Sequence, residues 1–230
     1  MNAAVVHSFQ QPPRYGTFPD PQPGEGETLI QVRAAALTPL VKAQVSGQHY
    51  SGGAALPVVP GADGVGLLPD GRRVYFAFPR TPYGSMAELT AVRDEYCVPL
   101  PDGLDDVTAA ALGNPGMSSW AALRRAAFQP GEAVLINGAT GVSGRLAVQI
   151  ARHLVAGHIV ATGRNPAALE SLKDLGADTL IPLGDTSERL TERLREVIRA
   201  QGVTVMLDYL WGPSAERLIG AFAGRRWLRW

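Results

Sequence analysis

Residues 134–144 read VLINGATGVSG. An apolar run stops at Asn137, and Gly138, Gly141 and Gly144 follow at every third position before helix-forming residues resume. That order predicts a strand, a glycine turn and a helix. A pyrophosphate needs backbone N–H groups at close range, so Cβ atoms must be absent where the chain bends toward it. Gly138 and Gly141 suit the tight turn and that approach, and Gly144 lets the helix pack close to the strand. Ala139, Thr140, Val142 and Ser143 complete the candidate cradle, and the helix N-terminus favours negative charge. A turn of small residues also serves where a helix merely packs on a strand, so the surrounding pattern has to decide.

Outward from the turn, strands and helices alternate. The apolar strand 133–137 leads through the turn into a helix over 144–155, where Leu146, Ile150 and Leu154 recur at every fourth position. A second strand is expected over 158–162, a helix from Pro166 to Leu175, and a third strand over 179–182. A charged amphipathic helix follows over 186–200, then a strand over 203–207, a helix over 214–223 and the opening of a fifth strand over 226–230. Such alternation implies right-handed crossovers and a parallel sheet.

The end of the second strand bears on the ligand. A dinucleotide site selective for the unphosphorylated ribose usually places Asp or Glu there. This chain has Thr162, Gly163, Arg164 and Asn165. Arg164 can meet a 2′-phosphate with a charge-assisted fork, and Thr162 and Asn165 offer short donors. The cofactor expected is therefore NADPH. An ordinary solvated loop arginine is the plainer alternative.

The 230 residues are 46% hydrophobic and 18% charged, enough for a substantial core. Lys+Arg and Asp+Glu balance at 21 each, which leaves no basic footprint for nucleic acid or a membrane surface. No stretch approaches the length of a membrane span, and the N-terminus has no signal-peptide pattern. A cytoplasmic location is expected. The single cysteine, Cys97, rules out a disulfide within the chain and a four-cysteine zinc site. Residues 1–115 hold short β-like runs at 3–9, 28–36, 64–68, 73–78, 87–91 and 96–99, separated by proline and glycine turns. Helices are expected there over 40–45 and 106–112, and another over 118–127.

The segments LPVVPGADGVG (56–66), YGSMAELTAV (83–92), VPLPDGLDDVTAAAL (98–112), PGEAVLINGATGVSGRLAVQIAR (130–152) and LKDLGAD (172–178) carry a family likeness. In their order and spacing the chain resembles the zinc-free branch of the medium-chain dehydrogenases/reductases, the quinone oxidoreductase group. The resemblance implies an α/β protein: an irregular β-rich, GroES-like substrate domain over 1–115, then a Rossmann domain with a parallel sheet over 116–230. It implies hydride transfer from NADPH to a quinone or α,β-unsaturated carbonyl, in a cleft between the domains. Zinc-dependent relatives carry a catalytic Cys, a Gly-His-Glu segment and a four-cysteine cluster. Here Gly61-Ala62-Asp63 stands in the middle segment, and no metal is expected. Without zinc, the acceptor itself must spread the negative charge that arrives with hydride, as conjugated carbonyls do.

By the same resemblance Tyr50 is a candidate catalytic donor to the substrate oxygen, with a packing role open. Thr38 falls near the nicotinamide. Ser118 matches a hydroxyl that contacts the cofactor, and also suits the N-cap of the following helix. Asp208 and Tyr209 follow the fourth strand on the nicotinamide side, where Asp208 equally suits a turn. Relatives run longer and have six Rossmann strands. The last strand or strands, and the segment that returns to the substrate domain, are expected to be missing here. A homodimer is allowed, and a non-catalytic NADPH-binding protein, a remnant or a redox sensor, is the alternative function.

Overall fold

The computed structural model describes residues 1–48, 55–184 and 187–222, and the chain separates into two compact units, Met1–Asn114 and Pro115–Trp230. In the first unit β1 (Asn2–Val5) pairs antiparallel with β2 (Arg14–Thr17). A five-stranded antiparallel sheet contains β3 (Glu27–Ala34), β4 (Asp63–Leu67), β5 (Arg73–Ala77), β6 (Leu89–Arg93) and β7 (Cys97–Pro99), in the order β6-β3-β4-β5-β7. In β5 Val74 and Phe76 are buried while their neighbours are half-exposed, the period of two that a sheet with one core face requires. Ile30, Val74, Phe76 and Val92 form the centre of that face. Burying a side chain such as Phe76 contributes about 1.5–3 kcal/mol. Helix α1 (Pro39–Val45) starts at Thr38, whose hydroxyl accepts from Val41 N, with Pro39 in the first turn. The strand β2 had no apolar alternation to announce it; its sequence, RYGT, is largely exposed and pairs along its length with β1.

Helix α2 (Asp106–Arg125) is one helix of 20 residues where two were expected, over 106–112 and 118–127. Pro115 lies inside it and removes one backbone donor, at a cost of about 3 kcal/mol. Burial at both ends outweighs that cost: Ala109 and Ala110 pack with Val65 in the first unit, and Leu123 is buried in the second. Ser118 and Ser119 follow the proline and donate to Pro115 O at 2.9 Å and Gly116 O at 3.1 Å.

Among the described residues the second unit holds a four-stranded parallel sheet of β8 (Ala133–Asn137), β9 (His158–Gly163), β10 (Thr179–Pro182) and β11 (Val203–Asp208), in the order β10-β9-β8-β11. Both faces are covered, so the strands read as nearly continuous apolar runs. Val134, Ile136, Ile159, Ala161, Val205 and Leu207 face a core shared with α3 (Val142–His153), where Ala147, Val148 and Ala151 form the buried stripe. Leu135, Val160, Ile181 and Met206 face the opposite side. There they meet Leu190, Leu194 and Ile198 of α5 (Ser187–Ala200) and Leu218 and Phe222 of α6 (Gly212–Phe222). The helix after β9 is shorter than expected: α4 is Pro166–Glu170. Leu172, Lys173, Leu175 and Gly176 then donate three residues back, a tighter winding than an α-helix. The strand expected over 226–230 lies outside the described residues.

Strand order reverses at β8: β9 and β10 lie to one side and β11 to the other. Open α/β sheets bind ligands beyond the carboxyl ends of the strands at such a reversal.

Candidate functional site

At the carboxyl end of β8 the glycine turn is built from three different requirements. Gly138 has φ +80°, and a Cβ there would lie 2.7 Å from Leu210 Cγ. At Gly144 a Cβ would lie 2.5 Å from Ala139 Cα and 2.6 Å from Gly138 O, so α3 approaches the turn at backbone distance. Gly141 is different. Its backbone (φ −77°, ψ 169°) suits any residue, and a Cβ would meet nothing within 4 Å. Neither strain nor packing explains glycine at 141. Open space at the N-cap of a 12-residue helix is what an incoming phosphate requires.

The backbone donors of the turn divide in the same way. Gly138 N donates to Thr162 Oγ1 at 3.1 Å, and Ala139 N donates to Thr162 O at 2.8 Å. Arg145 N is the first to bond back, to Gly141 O at 2.9 Å. The N–H groups of Val142, Ser143 and Gly144 are therefore the first-turn donors left for a ligand. Thr140 closes the floor: a Cβ on Gly163 would lie 2.5 Å from its methyl group.

Beneath the turn sits a buried polar network that the sequence reading missed. Asn137, the last residue of β8, is fully buried. Its Nδ2 donates to Asp208 Oδ1 at 2.7 Å, while its Oδ1 accepts from Thr162 Oγ1 at 2.6 Å and from Ser214 Oγ at 3.0 Å. Tyr209 N donates to Asn137 O at 3.1 Å, and the Tyr209 side chain packs against the core. One amide thus ties together β8, β9, β11 and α6. The signal for it was a polar residue closing an otherwise apolar strand.

These contacts revise two expected roles. Thr162 is fully buried and its single hydroxyl proton is given to Asn137, so it braces the turn and is not a donor for a phosphate on the ligand side. Asp208 is the turn residue: Oδ1 accepts from Leu210 N and Oδ2 from Trp211 N, each at 3.1 Å. Asn165 caps α4, accepting from Ala168 N at 3.0 Å. Arg164, beside it, is exposed and makes no ion pair or hydrogen bond among the described residues. An exposed guanidinium at the end of β9 is free to meet an anion through a charge-assisted fork.

The remaining candidates fall elsewhere. Thr38 lies in the first unit as the N-cap of α1. Ser118 lies within α2, exposed, and does not cap a helix as expected, because the helix begins twelve residues earlier at Asp106. Tyr50 lies outside the described residues.

Among the described residues no group of three or more His, Cys, Asp and Glu side chains is arranged to hold a metal. The Cys97 thiol donates to Arg93 O at 3.7 Å, and burial beside Asp94 pushes its pKa up, away from the thiolate a metal needs. Asp63 is buried on β4 and accepts from the Tyr75 hydroxyl at 2.7 Å. Burial raises its carboxyl pKa, an effect that Tyr75 and Asn114 partly offset. Tyr75, desolvated and donating to that carboxylate, is raised as well.

Residues 143–221 match the family model described as zinc-binding dehydrogenase. The chain is 31% identical to a probable NADPH-dependent quinone reductase, tdiC, of Emericella nidulans, over 96% of this chain and 71% of that protein. It is 33% identical to a 2-methylene-furan-3-one reductase of Solanum lycopersicum, over 68% of this chain but only 45% of the plant enzyme. Among solved structures, the quinone oxidoreductase of Thermus thermophilus, studied alone and with NADPH, superimposes with a TM-score of 0.81 at 29% identity. That match covers 96% of this chain and 70% of the other. The α/β architecture, the parallel sheet and the extent of the match to the fungal reductase agree: the chain belongs to the medium-chain dehydrogenase/reductase family, in its quinone oxidoreductase group.

Proposed function

We propose that the protein is a zinc-independent, NADPH-dependent oxidoreductase that reduces a quinone or an α,β-unsaturated carbonyl by hydride transfer. The observation that carries the reading is the open space over Gly141 at the head of α3, with Arg164 beside it and unpaired among the described residues. The names of the relatives support it, since the fungal protein is called an NADPH-dependent quinone reductase and the tomato protein a furanone reductase. In this reading residues 116–230 hold the cofactor and residues 1–115 form the substrate domain. Val142, Ser143 and Gly144 N–H groups and the dipole of α3 hold the pyrophosphate. Arg164 holds the 2′-phosphate through a charge-assisted fork, and Asn165 lends its amide donors. Asn137 and Thr162 keep the turn in register with β9 and β11. Bound NADPH supplies the hydride.

Substrate choice follows from the zinc-independent reading. In it the acceptor delocalises its own developing charge, which quinones and enones do and simple ketones do not. Thr38 and Tyr50 are the proposed contacts on the reacting side, and Tyr50 the donor to the substrate oxygen. A cytoplasmic location is proposed, where a lone thiol such as Cys97 stays reduced.

The test is loss of the reduced nicotinamide absorbance in the presence of benzoquinone, a cyclic enone or the matching saturated ketone. Turnover of the first two with NADPH, and none of the third, is expected. Tight NADPH binding with no turnover of any conjugated acceptor would overturn the enzymatic reading in favour of a non-catalytic NADPH-binding protein.

A further inference from the structure

The chain leaves β11 through a segment that the phosphate turn does not account for. After Asp208 it runs Tyr209, Leu210, Trp211, Gly212 and Pro213 into α6. Trp211 is 77% exposed and has φ +56°, and Gly212 follows at φ +61°. A bulky residue in the left-handed region is a strained choice. An exposed indole recovers nothing from burial to offset the strain.

The segment is nonetheless firmly held. Asp208 Oδ2 accepts from Trp211 N, and Oδ1 accepts from both Leu210 N and the buried Asn137 amide. Leu210 itself lies against Gly138, the first residue of the glycine turn. The strained backbone that presents the indole is thus anchored to the same amide that braces the phosphate cradle. Strain maintained by a buried network, on a side chain left in the open, points to a ligand contact.

Topology indicates which ligand part. Arg164 follows β9, on one side of β8, and Trp211 follows β11, on the other. If the 2′-phosphate meets Arg164 and the pyrophosphate meets α3, the second half of the dinucleotide runs toward the end of β11. We infer that the indole of Trp211 stacks on the nicotinamide ring and is a cofactor-contacting residue that fixes how that ring is presented. The inference rests on the NADPH reading above. Flat aromatic surfaces stack with a gain equivalent to about three- to tenfold in affinity.

Two probes separate the inference from that reading: NADPH, and 2′-phospho-ADP-ribose, which carries the same phosphates and lacks the nicotinamide. Calorimetric titration of the Trp211→Ala variant is expected to show NADPH weakened about three- to tenfold and the fragment unchanged. Trp211→Phe, which keeps an aromatic face, is expected to stay within about twofold of the parent for both probes. Energy transfer from tryptophan to bound NADPH is expected to drop in Trp211→Phe at saturating cofactor. Equal weakening of both probes by Trp211→Ala, or weakening of neither, would overturn the inference and leave the NADPH reading standing. Failure of the parent protein to bind either probe would overturn both.

Discussion

Replacing Gly141 and Gly144 separately by alanine distinguishes a turn built for a ligand from one built for packing. At 141 the new methyl group meets nothing, and the backbone is one that alanine adopts freely. Alanine caps a helix less well than glycine, at a cost of about 0.5–1 kcal/mol. It also restricts the unfolded chain, a gain of about 0.4–1 kcal/mol. The two nearly cancel, so the midpoint of thermal unfolding should move by less than about 2 °C. At 144 the methyl group falls 2.5 Å from Ala139 Cα, where only backbone can give way. Overpacking of that kind costs up to about 3 kcal/mol, and the better helix propensity of alanine returns about 1 kcal/mol. The net loss of about 2 kcal/mol lowers the midpoint by about 4–8 °C in a chain of this size. Binding should respond in the opposite order of specificity. The methyl group of Gly141→Ala occupies the space assigned to phosphate and removes one or two charged hydrogen bonds of about 1.5–3 kcal/mol each, weakening NADPH about 10- to 100-fold or more. Thermal unfolding and calorimetric titration of the same preparations measure both quantities. An unchanged NADPH affinity in Gly141→Ala, with stability also unchanged, would refute the assignment of that space to phosphate.

Three further outcomes follow from the same contacts. Arg164→Ala should weaken NADPH by about 10- to 100-fold and leave NADH unaffected, because only the 2′-phosphate is lost; paired titrations at low and high salt check it. Asn137→Leu should destabilise by about 2–4 kcal/mol, since it strips partners from Asp208, Thr162 and Ser214 at once; denaturant unfolding measures it, and Val205→Ala provides a packing control. Asp63→Asn should show a pH-dependent gain. Burial holds the native carboxyl above its unfolded pKa, so the native state binds the extra proton at low pH and its stability falls as pH rises through the native value. The neutral amide removes that loss, and the variant's melting temperature relative to the parent should rise as pH increases from the ordinary carboxylate range through the raised native value.

Much of the second unit was legible because two signals there are local. Apolar runs bounded by turn residues mark β8, β10 and β11, and the glycines mark the turn between β8 and α3. The second half of the chain also alternates strand with helix, which nearly dictates a parallel sheet. What escaped depended on partners distant in sequence. Two helices were expected, over 106–112 and 118–127, yet α2 runs continuously through Pro115, with buried residues at each end. Thr162 read as a ligand donor from its place after a strand, but Asn137, 25 residues away, takes its proton. Asn137 read only as the end of an apolar strand, since a polar residue there acquires further meaning only when β9 and β11 lie alongside. Glycine roles were visible as a set and not individually: only the built backbone separates Gly144, fixed by packing, from Gly141, open to a ligand.

The proposed anion cradle and Arg164 carry the functional assignment. Equilibrium titration of the unmodified protein with NADPH and with NADH, in one buffer at one ionic strength, tests them together. Saturable NADPH binding about 10- to 100-fold tighter than NADH is expected. Equal affinity for the two, or a preference for NADH, would contradict the assignment.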